Sequence, residues 1–391
     1  MKRRIKTSDI RLISTLAAVA LALPFGWKEL TGFYNWLSPF IMLNSVLLLK
    51  SVVWLNGIGL TVLIISFFKK RWFCNTLCPV GLGCDAVSKL NRRKKFSLRN
   101  IPHLGHWLAM LSLGAALTGI PLFILLDPIA IFHGFFSAFS KPASLVVVLS
   151  FLGLPLLLII HLFFPGIWCS RLCPLGGLQD EVAALKKVVI SNKNPEQKQV
   201  KGTNAGRRLF IAGGTGLLAG LIIPRWLRIS EIKYFRPPAS TSSELFNILC
   251  IRCGNCIKAC PTNIIVHHIE TDDLTAWMTP EVSFKNKGYC LEDCNLCGTV
   301  CPSGSISPFS LTAKKELFMG SIKIGLDKCL LTQRTECDRC KAVCHYKAIE
   351  IIPAEQSLIM KPLVNTQKCV GCGACAAICP PETIEMVTIE N

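Results

Sequence analysis

The sequence predicts two unlike parts in one chain: an α-helical membrane domain, formed by a four-span internal repeat plus a fifth span, joined to an α+β domain built on repeated cysteine quartets. Three observations predict this. Five apolar runs crowd the first 226 residues, one short pattern occurs twice among them, and sixteen of the 21 cysteines fall in four close-set groups beyond residue 245.

The runs lie at roughly 11–27, 51–68, 104–126, 144–164 and 209–226 in a chain that is 51% hydrophobic, with a mean hydropathy of +0.45. That is too apolar for an ordinary soluble chain, so membrane spans are expected. The net charge of +19 is confined to residues 1–226, which hold 26 basic and 7 acidic residues; from Leu227 onward the signs balance at 17 each. Nucleic-acid binding would need that charge on a folded soluble face, so no nucleic-acid partner is expected. The charge instead alternates along the connections. Residues 1–6, the stretch from Lys69 to Arg99 and the stretch from Arg171 to Arg208 are strongly basic, whereas 28–50 and 127–143 carry only Lys28, Lys50 and Lys141 as cations. The positive-inside rule sets the N-terminus in the cytoplasm of a bacterial inner membrane and residues 227–391 outside it. A buried or surface-lying fifth segment is the alternative.

The repeat is explicit. Arg71-Trp72-Phe73-Cys74-Asn75-Thr76-Leu77-Cys78-Pro79-Val80-Gly81 reappears as Gly166-Ile167-Trp168-Cys169-Ser170-Arg171-Leu172-Cys173-Pro174-Leu175-Gly176, and Leu37-Ser38-Pro39-Phe40 is echoed by Leu126-Asp127-Pro128-Ile129. Parallel repeats of this kind are related by an axis along the membrane normal, which would bring the two C-x3-C-P pairs together. Residues 1–190 are therefore the four-span domain. Residues 191–226 form a polar linker, a twin-arginine-like segment at Arg207-Arg208 with Phe210 behind it, and the fifth span. No N-terminal signal peptide is expected. Residues 227–391 are the extracytoplasmic α+β domain.

The quartets carry the chemistry. They are Cys250, Cys253, Cys256, Cys260; Cys290, Cys294, Cys297, Cys301; Cys329, Cys337, Cys340, Cys344; and Cys369, Cys372, Cys375, Cys379. The first and fourth follow the C-x2-C-x2-C-x3-C-P run of bacterial ferredoxins, in which three thiolates on one loop hold one [4Fe–4S] cube and the fourth ligates its neighbour. This makes residues 227–391 an α+β polyferredoxin domain with bacterial-ferredoxin-like repeats and four clusters, or three if Cys329 is not a ligand. Short strands are expected at 264–266 and 348–352. Zinc fits four quartets with three trailing prolines poorly. Sequential pairing of the quartets and nested pairing satisfy the spacing equally.

Cys74, Cys78, Cys169 and Cys173 add up to one further set of ligands, for a fifth cluster or a redox-active thiol site, with free structural thiols as the alternative; Cys84 is left over. No haem-attachment motif occurs, so no haem is expected. Asp127, His133 and His161 are the candidates for quinol deprotonation, because ionisable groups at such depth need a reason.

On these motifs, residues 1–190 resemble the NapH/MauN membrane family, related to NosR-type proteins, and residues 205–391 resemble the NapG/MauM periplasmic ferredoxins. The resemblance implies a quinol dehydrogenase with both subunits fused. It would pass electrons from menaquinol and the quinone pool through its clusters to a periplasmic reductase or a c-type cytochrome. One departure stands out: the stretch 174–206 lacks the cytoplasmic ferredoxin quartets usual in NapH-type proteins. The rival readings are an electron-donating maturation or regulatory factor, as NosR-like relatives suggest, and the reverse flow from ferredoxin to quinone.

Overall fold

The computed structural model describes residues 7–23, 28–90, 101–140, 147–148, 151–191, 203–226, 234–270, 273, 275–285, 287–354 and 359–388. The chain divides into two units. Unit 1 comprises Met1–Ser230, Asn247–Asn255 and Pro302–Gly304, and unit 2 comprises Glu231–Phe246, Cys256–Cys301 and Ser305–Asn391.

Unit 1 is helical: α1 (Thr7–Ala22), α2 (Pro39–Leu49), α3 (Asn56–Phe68), α4 (Trp72–Thr76), α5 (Pro79–Leu90), α6 (Leu104–Ala116), α7 (Pro128–Ser137), α8 (Gly153–Phe163), α9 (Pro174–Ser191) and α10 (Thr203–Trp226). The expected four-span repeat with a fifth span is not what forms. No single helix among the described residues is long and apolar enough to cross a membrane; one pair, Lys28–Trp36 with Pro39–Leu49, passes by length and composition but is bent by 91°. The reason is local. The 104–126 run is broken after Ala116, where Gly119 takes a φ of 108° and Pro121 removes a donor. The 51–68 run begins its helix only at Asn56, and in the 144–164 run a turn at Phe151 and Leu152 precedes the helix Gly153–Phe163, so these helices keep 13 and 11 residues. At 1.5 Å per residue both fall well short of the roughly 30 Å of a hydrocarbon core. The 24-residue α10 is long, but its apolar part is Phe210–Ile222. Arg207 and Arg208 of the twin-arginine-like segment lie in its N-terminal half.

The stretches expected as outer loops instead supply α2 and α7, which are buried. Both begin at proline, and the preceding residue caps each: Ser38 Oγ accepts from Ile41 N at 3.4 Å, and Asp127 accepts from Ile129 N at 2.9 Å and Ala130 N at 3.3 Å. The two caps meet, with Ser38 Oγ donating to Asp127 Oδ2 at 2.6 Å. The repeated Ser-Pro and Asp-Pro sites therefore face each other across the internal repeat.

The repeat extends into the backbone. Arg71 and Gly166 occupy matching positions, and both lie in the left-handed region, at φ of 53° and 79°. Glycine takes that conformation freely, whereas arginine bears on the order of 1 kcal/mol of strain. Arg71 is held there by its fork on Asp180, Nε to Oδ1 at 2.8 Å and Nη2 to Oδ2 at 2.5 Å, and by donation from Nη1 to Cys169 O at 3.0 Å. Burial alone would push the Asp180 carboxyl up; hydrogen bonds from His106 and Arg71 hold it well below the usual carboxylate range.

Unit 2 is a set of antiparallel pairs around cysteine loops. Its strands are β1 (Ile265–His267), β2 (Pro280–Val282), β3 (Ser321–Ile324), β4 (Ile349–Pro353), β5 (Met360–Val364) and β6 (Ile384–Val387). They pair as β1 with β2, β3 with β6 and β4 with β5. In the second half β3–β6 is the outer pair, with Ser321 opposite Val387, and β4–β5 the inner hairpin, with Ile349 opposite Val364. The first half keeps the inner pair as β1–β2 and reduces the outer one to a single bridge, Ser240 to Ile306. Both strands expected from sequence, after the first and third quartets, are present as β1 and β4.

The contact of α6 with α10 depends on glycine. A Cβ on Gly114 would collide with the Gly213 carbonyl, and one on Gly216 with the Leu111 carbonyl. Gly216→Val is expected to destabilise unit 1 by about 1–3 kcal/mol through overpacking, read as a lowered thermal midpoint. An unchanged midpoint would show that the helices separate at no cost.

Candidate metal centres

Cysteine loops followed by short helices build each site in unit 2. The helices are α11 (Asn255–Ala259), α12 (Leu296–Thr299), α13 (Arg339–Ala342) and α14 (Ala374–Ile378). Each is a single turn that carries the third cysteine of its quartet and lifts the fourth out of the loop. The fourth cysteine of the first, third and fourth quartets therefore reaches a neighbouring loop rather than its own.

Three cavities among the described residues of unit 2 are each lined by four cysteines. The first, about 370 Å³, takes Cys290, Cys294 and Cys297 together with Cys260. The second, about 320 Å³, takes Cys369, Cys372 and Cys375 with Cys344. The third, about 360 Å³, takes Cys329, Cys337 and Cys340 with Cys379. Neighbouring quartets thus exchange their last cysteines: the third and fourth do so reciprocally, and the first gives Cys260 to the second. Pairing is sequential, not nested, and Cys329 belongs to its site despite the seven residues before Cys337. In the first quartet, Cys250 and Cys253 fall in the Asn247–Asn255 stretch counted with unit 1, and Cys256 and Cys260 in unit 2.

These donor sets fit [4Fe–4S] clusters. Four thiols per cavity is the ligand count of the cube, and backbone amides are aimed at the sulfurs: Ala348 N donates to Cys344 Sγ at 3.3 Å and Ile306 N to Cys301 Sγ at 3.4 Å. Burial pushes the Cys340 and Cys372 thiols up to about 11 and Cys375 to about 12. Unligated, Cys340, Cys372 and Cys375 keep their protons at neutral pH, so iron must displace them as it binds.

Sequence reasoning missed Lys314. It is 3% exposed, and its Nζ donates to Leu291 O and, at 2.5 Å, to Cys294 O. A buried cation on the Cys290–Cys297 loop favours added negative charge there. Only its place after a quartet, in Ala313-Lys314-Lys315, could have signalled it, and one lysine of a pair is not distinguishable by pattern.

In unit 1 the two C-x3-C-P pairs converge. Cys74, Cys78, Cys169 and Cys173 line one cavity of about 490 Å³, with Arg11, Arg71 and Trp168 among its other walls. Cys78 and Cys173 each precede the proline that opens a helix, and their Sγ atoms accept from Gly81 N at 3.3 Å and Gly176 N at 3.4 Å. Gln179 Nε2 donates to Cys74 Sγ at 3.2 Å. Asp127 acts as the α7 cap described above, and His133 is buried on α7 with its ring 5.8 Å from that of Phe132. His161 is buried on α8. None of the three lines the four-thiol cavity.

Because Cys329 and Cys379 serve one site, replacing either by alanine is expected to remove about four irons per chain, and replacing both is expected to remove no more. Loss of about eight irons in the double variant would restore nested pairing. Lys314→Met is expected to shift the potential of the Cys260/Cys290/Cys294/Cys297 site negative by on the order of 60 mV, one tenfold change in a one-electron equilibrium. Redox titration followed by EPR reads it, and an unmoved potential would leave Lys314 a purely structural residue.

Comparison with known proteins agrees with this geometry. A 4Fe-4S dicluster domain family matches residues 249–305 and 333–383, and a 4Fe-4S binding domain family matches residues 52–97 and 146–190. The ferredoxin-type protein NapF of Escherichia coli is 38% identical over 165 residues, which cover 42% of this chain and 90% of NapF. The methylamine utilization ferredoxin-type protein MauM of Methylophilus methylotrophus is 31% identical over 153 residues, 37% of this chain and 65% of MauM. The ferredoxin-type protein NapG of Haemophilus influenzae is 27% identical over 201 residues, 50% of this chain and 71% of NapG. No solved structure matches the chain. The cysteine-lined cavities and these relatives together establish that the chain belongs to the ferredoxin-type family of NapF, as an iron–sulfur electron-transfer protein.

Proposed function

We propose that the chain is a respiratory electron relay that oxidises a quinol, menaquinol, and delivers the electrons through four [4Fe–4S] clusters to a periplasmic reductase or a c-type cytochrome. The observation that carries the relay is a direct link between two four-cysteine cavities: Cys290 N donates to Cys372 O at 2.9 Å. Cys290 belongs to the Cys260/Cys290/Cys294/Cys297 site and Cys372 to the Cys344/Cys369/Cys372/Cys375 site. The order within unit 2 is then the Cys290 site, the Cys372 site and last the Cys329 site, whose four cysteines are all partly exposed. When bound, the clusters supply the one-electron steps. The protein supplies thiolates, amide donors and short backbone links between sites.

The quinol donor is supported by the surface of unit 1. Helix α3 exposes Leu60, Ile64 and Phe68, and α8 exposes Leu156, Ile159, Ile160 and Phe163. Continuous apolar faces of this kind suit contact with lipid or another apolar partner. The localisation proposed is the bacterial cytoplasmic membrane, in line with these exposed apolar faces and the basic connections of residues 1–226. Cys74, Cys78 and Cys173 of the four-thiol cavity are the inner redox thiols in this reading.

The test is anaerobic addition of a menaquinol analogue to the full chain in detergent, followed by EPR with iron and sulfide analysis. Reduced [4Fe–4S] signals appearing within the mixing time, with at least sixteen irons per chain, are the expected outcome. Clusters that are present but indifferent to quinol would end the quinol reading while leaving iron–sulfur electron transfer intact.

A further inference from the structure

The internal repeat contains a pair of matching three-residue clusters that have diverged in one telling way. In the register that matches Cys74 with Cys169 and Cys78 with Cys173, Ser66 corresponds to His161 and Gln179 to Cys84. The helices agree on this register: Leu63-Ile64-Ile65-Ser66 on α3 reads as Leu158-Ile159-Ile160-His161 on α8. Their side chains agree too. Ser66 Oγ donates to Val62 O at 2.8 Å, four residues back, and His161 Nδ1 sits 3.3 Å from Leu157 O, also four residues back.

In one half the cluster is a plain hydrogen-bond chain. Ser66 Oγ reaches Gln179 Oε1 at 3.3 Å, and Gln179 Nε2 donates to Cys74 Sγ at 3.2 Å. In the other half each polar member is replaced by a metal-ligating type. One ring nitrogen of His161, Cys84 Sγ and Cys169 Sγ all lie within 4.8 Å of one another, the only such group of three or more His, Cys, Asp or Glu residues among the described residues. His161 is 1% exposed and Cys84 is also 1% exposed. With Nδ1 engaged on Leu157 O, the nitrogen left for a ligand is Nε2, which is buried with no hydrogen-bond partner.

We propose that Cys84, His161 and Cys169 form a mononuclear site for a soft closed-shell cation, Zn2+ or Cu+. The size argument separates it from the cluster sites. A single zinc ion with bonds of about 2.3 Å to sulfur and 2.0–2.1 Å to nitrogen holds its ligands roughly 3.5–4 Å apart, so this group closes on a metal with small shifts. A cube spreads its four sulfurs farther, and none of the cavities of unit 2 brings its thiols within the 4.8 Å limit. Two thiolates and one imidazole select zinc and monovalent copper among biological cations. Carbonyl bonding of the far ring nitrogen is the support that metal-bound histidines use to fix tautomer and orientation. Loading displaces the two thiol protons to solvent, leaving two thiolates and a neutral imidazole.

Cys169 also lines the four-thiol cavity, so the ion takes one of that cavity's four sulfurs. The remaining three are the ones with donors of their own: Gly81 N for Cys78, Gly176 N for Cys173 and Gln179 for Cys74. The function of the ion is to lock α5, α8 and the Trp168–Leu172 turn together where the other half uses a hydrogen bond.

The experiment compares the full chain with the double variant Cys84→Gln plus His161→Ser, which copies the chemistry of the other half. Both are purified anaerobically, offered Zn2+ or Cu+ alone, dialysed against a chelator and analysed for zinc, copper and iron. The expected result is about one equivalent of zinc or copper in the native chain, at least tenfold less in the variant, and unchanged iron. The arm that retains metal identifies the ion. X-ray absorption at that metal's edge on the native chain, which does not depend on the variant folding, is expected to show two sulfurs and one nitrogen. No retained zinc or copper, equal retention in the variant, an all-sulfur or all-oxygen shell, or loss of about four irons from the variant would each overturn the proposal.

Discussion

Each of the three four-cysteine cavities among the described residues of unit 2 closes only because one cysteine is borrowed from a neighbouring loop. A loop with two-residue gaps can point three sulfurs at one cube but cannot turn the fourth back on itself, because the one-turn helix between the third and fourth cysteines carries the last sulfur away. That constraint makes the quartets interdependent. It explains why the third and fourth share the β3–β6 outer pair and why Ile322, Ala348, Ile349 and Ile384 form one core with Cys369 and Cys375. The apolar residues and the metal ligands are there the same cluster, so the cofactor is part of the core.

A similar economy governs unit 1. Four helices begin at proline, after Ser38, Cys78, Asp127 and Cys173, and in each the preceding side chain accepts from the first-turn amides. Serine and aspartate are familiar caps. Cysteine in that role brings the sulfur to the first-turn amides, while burial pushes the Cys78 and Cys173 thiols well up. The repeated motif is thus a capping device and a ligand device at once, and the repeat that the sequence displays is retained in backbone detail down to the left-handed pair Arg71 and Gly166.

The expectation that failed is instructive. Hydropathy counts apolar residues along the chain, but it does not count breaks. Gly119 and Pro121, and the turns at 54–55 and 151–152, interrupt runs that look long enough to span, and the nominal outer loops turn out to hold buried helices. Asp127, which seemed out of place at such depth, is accounted for as a cap. His161 found a different environment, beside two sulfurs.

What the sequence by itself determined was local and chemical: the identity and spacing of the sixteen quartet cysteines, the strands after the first and third quartets, the twofold occurrence of C-x3-C-P, and membership of the ferredoxin class. Those features depend on neighbours within a few residues, where spacing is geometry. Three things were decided by tertiary structure alone. The exchange partner of each fourth cysteine was open, since two pairings satisfied the same spacing. The burial of Lys314 against the Cys294 carbonyl depends on a turn far along the chain. The meeting of Cys84 with His161 and Cys169 joins residues tens of positions apart. Each is a long-range contact whose energy lies in where helices and loops pack, and no pattern of adjacent residues carries that information.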